Sequence, residues 1–158
     1  MQKKIVERVG EKSTGLLKVI PILGTANCGP ANFYADQNIE GYLRISSNLL
    51  KSEKKLFALR ASGDSMNQAN IEGKSIENGD YVIVEPENNV SNNDYVVSII
   101  DGVCNIKKLY IDESNEQIIL LSESSKNLPP IVLNPNEINY FVNGKILKVI
   151  KNPKKETT

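Results

Sequence analysis

The chain has 158 residues, 40% of them hydrophobic and 24% charged, with 19 basic against 19 acidic side chains and no formal net charge. These values fit one soluble globular domain with short appendages, and the lack of a basic surplus argues against a dedicated nucleic-acid-binding domain. No apolar run approaches the roughly 18–20 residues of a membrane helix, and no apolar stretch follows the basic start at Lys3 and Lys4, so no membrane contact and a cytoplasmic location are expected.

Residues 4–9 and 16–20 read as two short β runs around a Gly, Ser and Thr turn at 10–15. Such a hairpin is marginal alone. It has the look of the wing of a winged-helix domain whose helices are missing, and residues 1–20 are taken as a flexible N-terminal arm. Residues 21–37 hold Pro21, Gly24, Gly29 and Pro30 among small residues, a linker composition. The globular part then spans 38–150, with residues 151–158 as a charged tail.

Strands are expected at 56–61, 80–85, 94–100, 103–110 and 117–121. Asp101-Gly102 and Asn143-Gly144 are two-residue hairpin signals, the second between residues 141–142 and 145–150. Residues 67–79 are polar and irregular, and Pro129-Pro130 closes a loop. Helical periodicity is weak, with at most a short helix after Ser65 and one at 47–52. The fold class is therefore mostly β, a barrel-like or ribboned sheet.

Two cysteines, Cys28 and Cys104, stand without any histidine. They cannot furnish a four-ligand zinc site, and they suit a reducing compartment; no metal or cofactor is expected. Cys104 reads as a small apolar strand residue. Cys28 sits in the turn-rich stretch Ala26-Asn27-Cys28-Gly29-Pro30.

The absence of histidine excludes a Ser-His-Asp triad. A serine nucleophile would need another base, and lysine is the known alternative. Ser62-Gly63-Asp64-Ser65-Met66 offers hydroxyls in a glycine-bearing turn. Val103-Cys104-Asn105-Ile106-Lys107-Lys108-Leu109 offers lysine in an apolar strand. An exposed lysine has a pKa near 10.4 and stays charged; burial lowers it by disfavouring the ammonium. Adjacent lysines in a strand point to opposite faces, so one can be buried while the other reaches solvent. Periodicity alone leaves open which is inside. Taken singly, a Gly-Asp-Ser turn is usually only a turn, and a Lys-Lys pair is usually solvated.

In combination, Cys28-Gly29, Ser65-Met66 and Ile106-Lys107-Lys108-Leu109 resemble, in order and spacing, the LexA/UmuD-type self-cleaving serine peptidases. Supporting phrases are Ile20-Pro21-Ile22-Leu23-Gly24, Asn38-Ile39-Glu40-Gly41-Tyr42 and Gly79-Asp80-Tyr81-Val82-Ile83-Val84. The resemblance implies a LexA/signal-peptidase-like β-ribbon fold, Ser65 as nucleophile and Lys107 as general base. It also implies Cys28–Gly29 as the bond cut within the same chain, and the Ser65 N–H as an oxyanion donor. It further implies a homodimer, with the 141–150 segment as candidate interface, and stimulation by RecA on single-stranded DNA.

The function expected is that of an SOS-type transcriptional regulator whose DNA-binding domain is truncated, separate or lost. A UmuD-like accessory protein of translesion synthesis is the alternative. A membrane signal peptidase shares the chemistry but needs a membrane segment, and a non-catalytic dimerisation module would not need both Ser65 and Lys107. Two departures from the family pattern are Pro30, which removes an N–H beside the cut bond, and the insertion Gly73-Lys74-Ser75 within residues 67–78.

Overall fold

The computed structural model describes residues 16–25, 39–50, 52, 54–86, 89–100, 103–134, 136 and 142–152, and residues 5–9 by their strand pairing. The described residues contain ten strands: β1 (Ile5–Val9), β2 (Leu17–Thr25), β3 (Gly41–Ser46), β4 (Phe57–Arg60), β5 (Tyr81–Glu85), β6 (Tyr95–Ile100), β7 (Val103–Asp112), β8 (Gln117–Leu121), β9 (Ile131–Leu133) and β10 (Val142–Ile150). They hydrogen-bond in one sheet of order β1-β3-β2-β4-β5-β10-β6-β7-β8-β9. No α-helix occurs among the described residues; where short helices were expected, residues 47–49 and 65–68 are turns. The mostly β class read from the sequence stands.

Both faces of the sheet are apolar, which explains the uninterrupted apolar run of β5. Val82 and Val84 pack with Phe57, Leu59, Met66, Val97, Ile106 and Val149. Tyr81 and Ile83 join Ile22, Leu43 and Ile45 in a second cluster. Val96, Leu109, Ile118 and Leu120 form a third, under the β6-β7-β8 meander.

Several expectations are corrected. β1 and β2 do not form a hairpin with each other: β1 pairs with β3 in parallel, and β2 pairs with β3 antiparallel. β2 runs on to Thr25, well into the segment read as linker, with Pro21 opposite Tyr42. β3 was hidden in the lead-in to the globular part, although buried Leu43 and Ile45 alternate with partly exposed Tyr42 and Arg44 as a half-buried strand requires. The short β9 follows the Pro129-Pro130 loop without a signal of its own. Asp101-Gly102 lies outside the described residues, but its flanks pair as a hairpin, Ile100 opposite Val103.

Asn143-Gly144 is not a turn. β10 passes straight through it, pairing first with β6 and then with β5, with a register shift between Val142 and Gly144. The glycine serves close approach instead. A Cβ there would lie 2.5 Å from Val84 Cγ1 and 3.1 Å from the Glu85 carbonyl oxygen. Val84 is fully buried and β-branched, so it has little freedom to move.

The end of β10 is latched by a buried carboxylate. Asp80 accepts from Lys151 Nζ at 2.5 Å, from the Asn152 amide at 3.0 Å and from the Glu77 amide at 2.8 Å. Burial alone would raise its pKa, but the lysine and the two amides outweigh that and hold the carboxyl below its ordinary 3.8. The unfolded chain therefore binds more protons in the acid range, so this contribution is present above 3.8 and is lost as pH falls through the folded value.

Two measurements check these points. Gly144→Ala is expected to destabilise the fold by about 1–3 kcal/mol through overpacking, read from the urea midpoint. Asp80→Asn is expected to lower stability near neutral pH and to lessen the further loss that the wild type suffers on acidification, read from urea midpoints at the two pH values.

Candidate active site

The Ser65 turn joins β4 to the irregular stretch before β5. Gly63 takes φ +88°, a left-handed conformation that glycine adopts without a Cβ clash. Its amide donates to Asn78 Oδ1 at 2.8 Å. Two residues earlier, the Ala61 amide donates to the Asp80 carbonyl at 2.7 Å and the Gly79 amide donates back to the Ala61 carbonyl at 2.8 Å. The acidic Glu77-Asn78-Gly79-Asp80 turn thus braces one side of the serine turn. Met66 anchors it by burying its side chain in the first core cluster.

Ser65 itself is half-buried. It lines a small cleft of about 10 Å³ with Ala61, Ser62, Gly63, Met66, Ile76 and Ile106, room for about one water molecule. Among the described residues, nothing accepts a hydrogen bond from its backbone N–H.

Ile106 brings β7 to this cleft, and Lys107 is the next residue. Lys107 is only 8% exposed, in register opposite Val96. Removal from water lowers its pKa below the ordinary 10.5, and burial is the cause. Lys108 has the opposite fate. Its ammonium pairs with Glu123 at 3.1 Å, with 27% of the side chain exposed, and that hydrogen bond raises its pKa. It also lies 5.5 Å from the centre of the Tyr95 ring. The ambiguity left by the Lys-Lys pair is resolved: Lys107 is inside.

Ile106 lines the Ser65 cleft and Lys107 follows it on β7, but Lys107 itself is not among the residues that line the cleft. Ser65 and Lys107 are not hydrogen-bonded to each other among the contacts described. Cys28 and Gly29, the expected cut bond, lie outside the described residues, as does Pro30. The inserted residues Gly73 and Lys74 belong to a tight turn closed by an Ile71–Lys74 bridge, with the Glu72 carboxylate 2.6 Å from Lys148 Nζ. Cys104 is buried in the first core cluster, as expected of an apolar strand residue. Among the described residues, no group of three His, Cys, Asp or Glu side chains is placed to hold a metal ion, and no helix is long and apolar enough to cross a membrane.

Sequence reasoning missed the groups that hold the turn on its other side. Glu123, Ser124, Ser125 and Lys126 follow β8 and reach back to residues 64–68. Nothing in the local sequence marks them, because the contacts span 55–62 residues.

The family model described as Peptidase S24-like matches residues 21–147. The chain belongs to the Peptidase S24-like family. It is 33% identical over 84% of its length to the LexA repressor of Clostridium novyi, covering 59% of that protein. It is 33% identical over 90% of its length to the LexA repressor of Geobacter metallireducens, covering 63% of it. It is also 36% identical over 94% of its length to the LexA repressor of Carboxydothermus hydrogenoformans, covering 67% of it. The chain thus spans about three-fifths of the length of the first two of these relatives.

The burial of Lys107 makes a testable statement about this Peptidase S24-like chain. Its folded pKa lies below 10.5, so between the two values the unfolded chain binds more protons and stability rises with pH. Lys107→Met, of similar volume, is expected to raise the melting temperature near neutral pH, and the gain over wild type is expected to shrink as pH approaches 10.5. Thermal unfolding followed by circular dichroism across that range checks both signs.

Proposed function

We propose that this chain is the peptidase and dimerisation part of a LexA-type regulator, which cuts its own Cys28–Gly29 bond with Ser65 as nucleophile and Lys107 as general base. The observation that carries this reading is the dry lysine. A neutral amine at Lys107 is available as a base at a pH where an exposed lysine would be charged, and it adjoins Ile106 in the Ser65 cleft.

The proposed reaction runs in two halves. Lys107 Nζ takes the proton of Ser65 Oγ as Oγ bonds to the carbonyl carbon of Cys28. The carbonyl oxygen becomes an oxyanion, and the unengaged Ser65 N–H donates to it. Collapse breaks the Cys28–Gly29 bond, and the Lys107 ammonium gives its proton to the departing Gly29 amine. Water, deprotonated by the same amine, then releases Cys28 as a carboxylate and restores the Ser65 hydroxyl. The step the proposal adds to the geometry is approach of the amine to hydrogen-bond distance, about 2.6–3.2 Å, from Oγ; such contacts often tighten only in the reacting complex.

Arrival of the 26–30 segment at the cleft would complete the exclusion of water. A signal that favours the arrived state would control the rate, and by resemblance that signal is RecA on single-stranded DNA. DNA contact is assigned to a domain other than residues 38–150. Cutting at Cys28 would part that domain from the dimerising one and end bivalent binding. The relatives matched are named LexA repressors, which favours this reading over a UmuD-like accessory role.

Incubation of the purified chain at rising pH, read by intact mass, tests it. The wild type is expected to split between Cys28 and Gly29, faster as Lys107 loses its proton. Ser65→Ala and Lys107→Ala are each expected to slow this by at least about a thousandfold. An intact wild type at every pH, or an equal split in Ser65→Ala, would overturn the reading.

A further inference from the structure

Residues 64, 66, 67 and 68 are all held by the segment that follows β8, while Ser65 between them is not. The Asp64 carbonyl accepts from Ser124 Oγ at 2.8 Å, and its carboxylate lies 2.7 Å from Lys126 Nζ. Met66 Sδ accepts from the Glu123 amide at 3.4 Å. Asn67 exchanges two hydrogen bonds with Ser125, at 2.9 and 3.0 Å. The Gln68 amide donates to the Glu123 carbonyl at 2.8 Å.

The Glu123 side chain ties this clamp to the strand pair behind it. One carboxylate oxygen accepts from Tyr95 Oη of β6 at 2.5 Å, and the other accepts from Lys108 Nζ of β7 at 3.1 Å. The Tyr95 hydroxyl in turn accepts from the Asn70 amide at 3.1 Å, closing the loop onto the far end of the serine turn. Tyr95 and Lys108 are themselves register partners.

We propose that Glu123 is the positioning residue that sets the Ser65 turn against the strand carrying Lys107. The inference rests on the roles assigned above to Ser65 and Lys107. Through its backbone Glu123 holds Met66 and Gln68, and through its carboxylate it holds the residue next to Lys107. Its side chain and its main chain therefore fix one distance from both ends. The same ion pair keeps the second lysine on the Tyr95 side of the strand. Charge-assisted bonds of this kind are stronger than neutral ones, and placement errors near 1 Å can cost catalysis about a hundredfold.

The test uses the full chain with Glu123→Lys, Lys108→Glu and the two combined, each confirmed folded by circular dichroism at the assay temperature. Self-cleavage at alkaline pH is read by intact mass, and amide hydrogen exchange is read over residues 64–70. Each single variant is expected to slow cleavage on the order of tenfold to a hundredfold and to speed exchange in that turn. The reversed pair is expected to recover most of both, because the exchanged charges can again pair across the same gap.

Single variants at the wild-type rate overturn the proposal, and so does a reversed pair as slow as the singles. Should the wild type not cut at all, the functional reading fails while hydrogen exchange still decides the tie; unchanged exchange in Glu123→Lys overturns it. Should Glu123→Lys not fold, Tyr95→Phe removes only the hydroxyl, and an unchanged exchange pattern there overturns it equally.

Discussion

A lysine amine held out of water is the constraint on which this site turns. Its ammonium form is penalised by desolvation, and the surrounding sheet must absorb that penalty. Lys107 sits on a strand paired without a register shift on both sides. β7 is hydrogen-bonded to β6 on one side and to β8 on the other, and Val96 and Leu109 are fully buried beside it. A solvated edge strand would let the side chain swing outward. A strand paired on both sides, with apolar clusters above and below, gives it no such escape.

The serine turn meets this strand under a different constraint. It carries little regular structure, so its shape depends on contacts from elsewhere. One brace is the Asn78–Asp80 turn at the start of β5, itself latched to the end of β10 through Lys151. The other is the segment after β8. The two braces come from distant parts of the chain, so the turn takes its final shape only once the sheet has assembled.

The parts of the fold legible in the sequence are those whose cause is local. β5 through β8 were readable because short apolar runs and the Asp101-Gly102 signal act within a few residues. β8 was placed at its observed bounds, Gln117–Leu121. The serine turn was readable from Gly63. What misled is equally physical. Asn143-Gly144 has the composition of a hairpin turn, yet its glycine answers to a neighbouring strand, Val84, some sixty residues away in sequence. β1 and β2 lie close along the chain, yet β3 comes between them. The role of Glu123 had no local signal at all, since a carboxylate after a strand looks like any solvated charge until Tyr95 and Lys108 are brought to it. The order of the two lysines was open for the same reason: both faces of β7 carry apolar neighbours, and only the partner strands decide.

That order has a further consequence. A one-residue slip of β7 against β6 would exchange the faces of Lys107 and Lys108. It would expose the amine that is now buried and bury the one that is now ion-paired. The register Val96 opposite Lys107 and Tyr95 opposite Lys108 guards against this in two ways. Leu109 on β7 belongs to the third core cluster, so a slip would turn its apolar side chain out of that cluster. Tyr95 and Glu123 hold the Lys108 ammonium, so a slip would also leave a carboxylate and a hydroxyl without their cation. Opposite environments on two successive residues thus reinforce each other. The burial that lowers one lysine's pKa and the ion pair that raises its neighbour's are consequences of a single register.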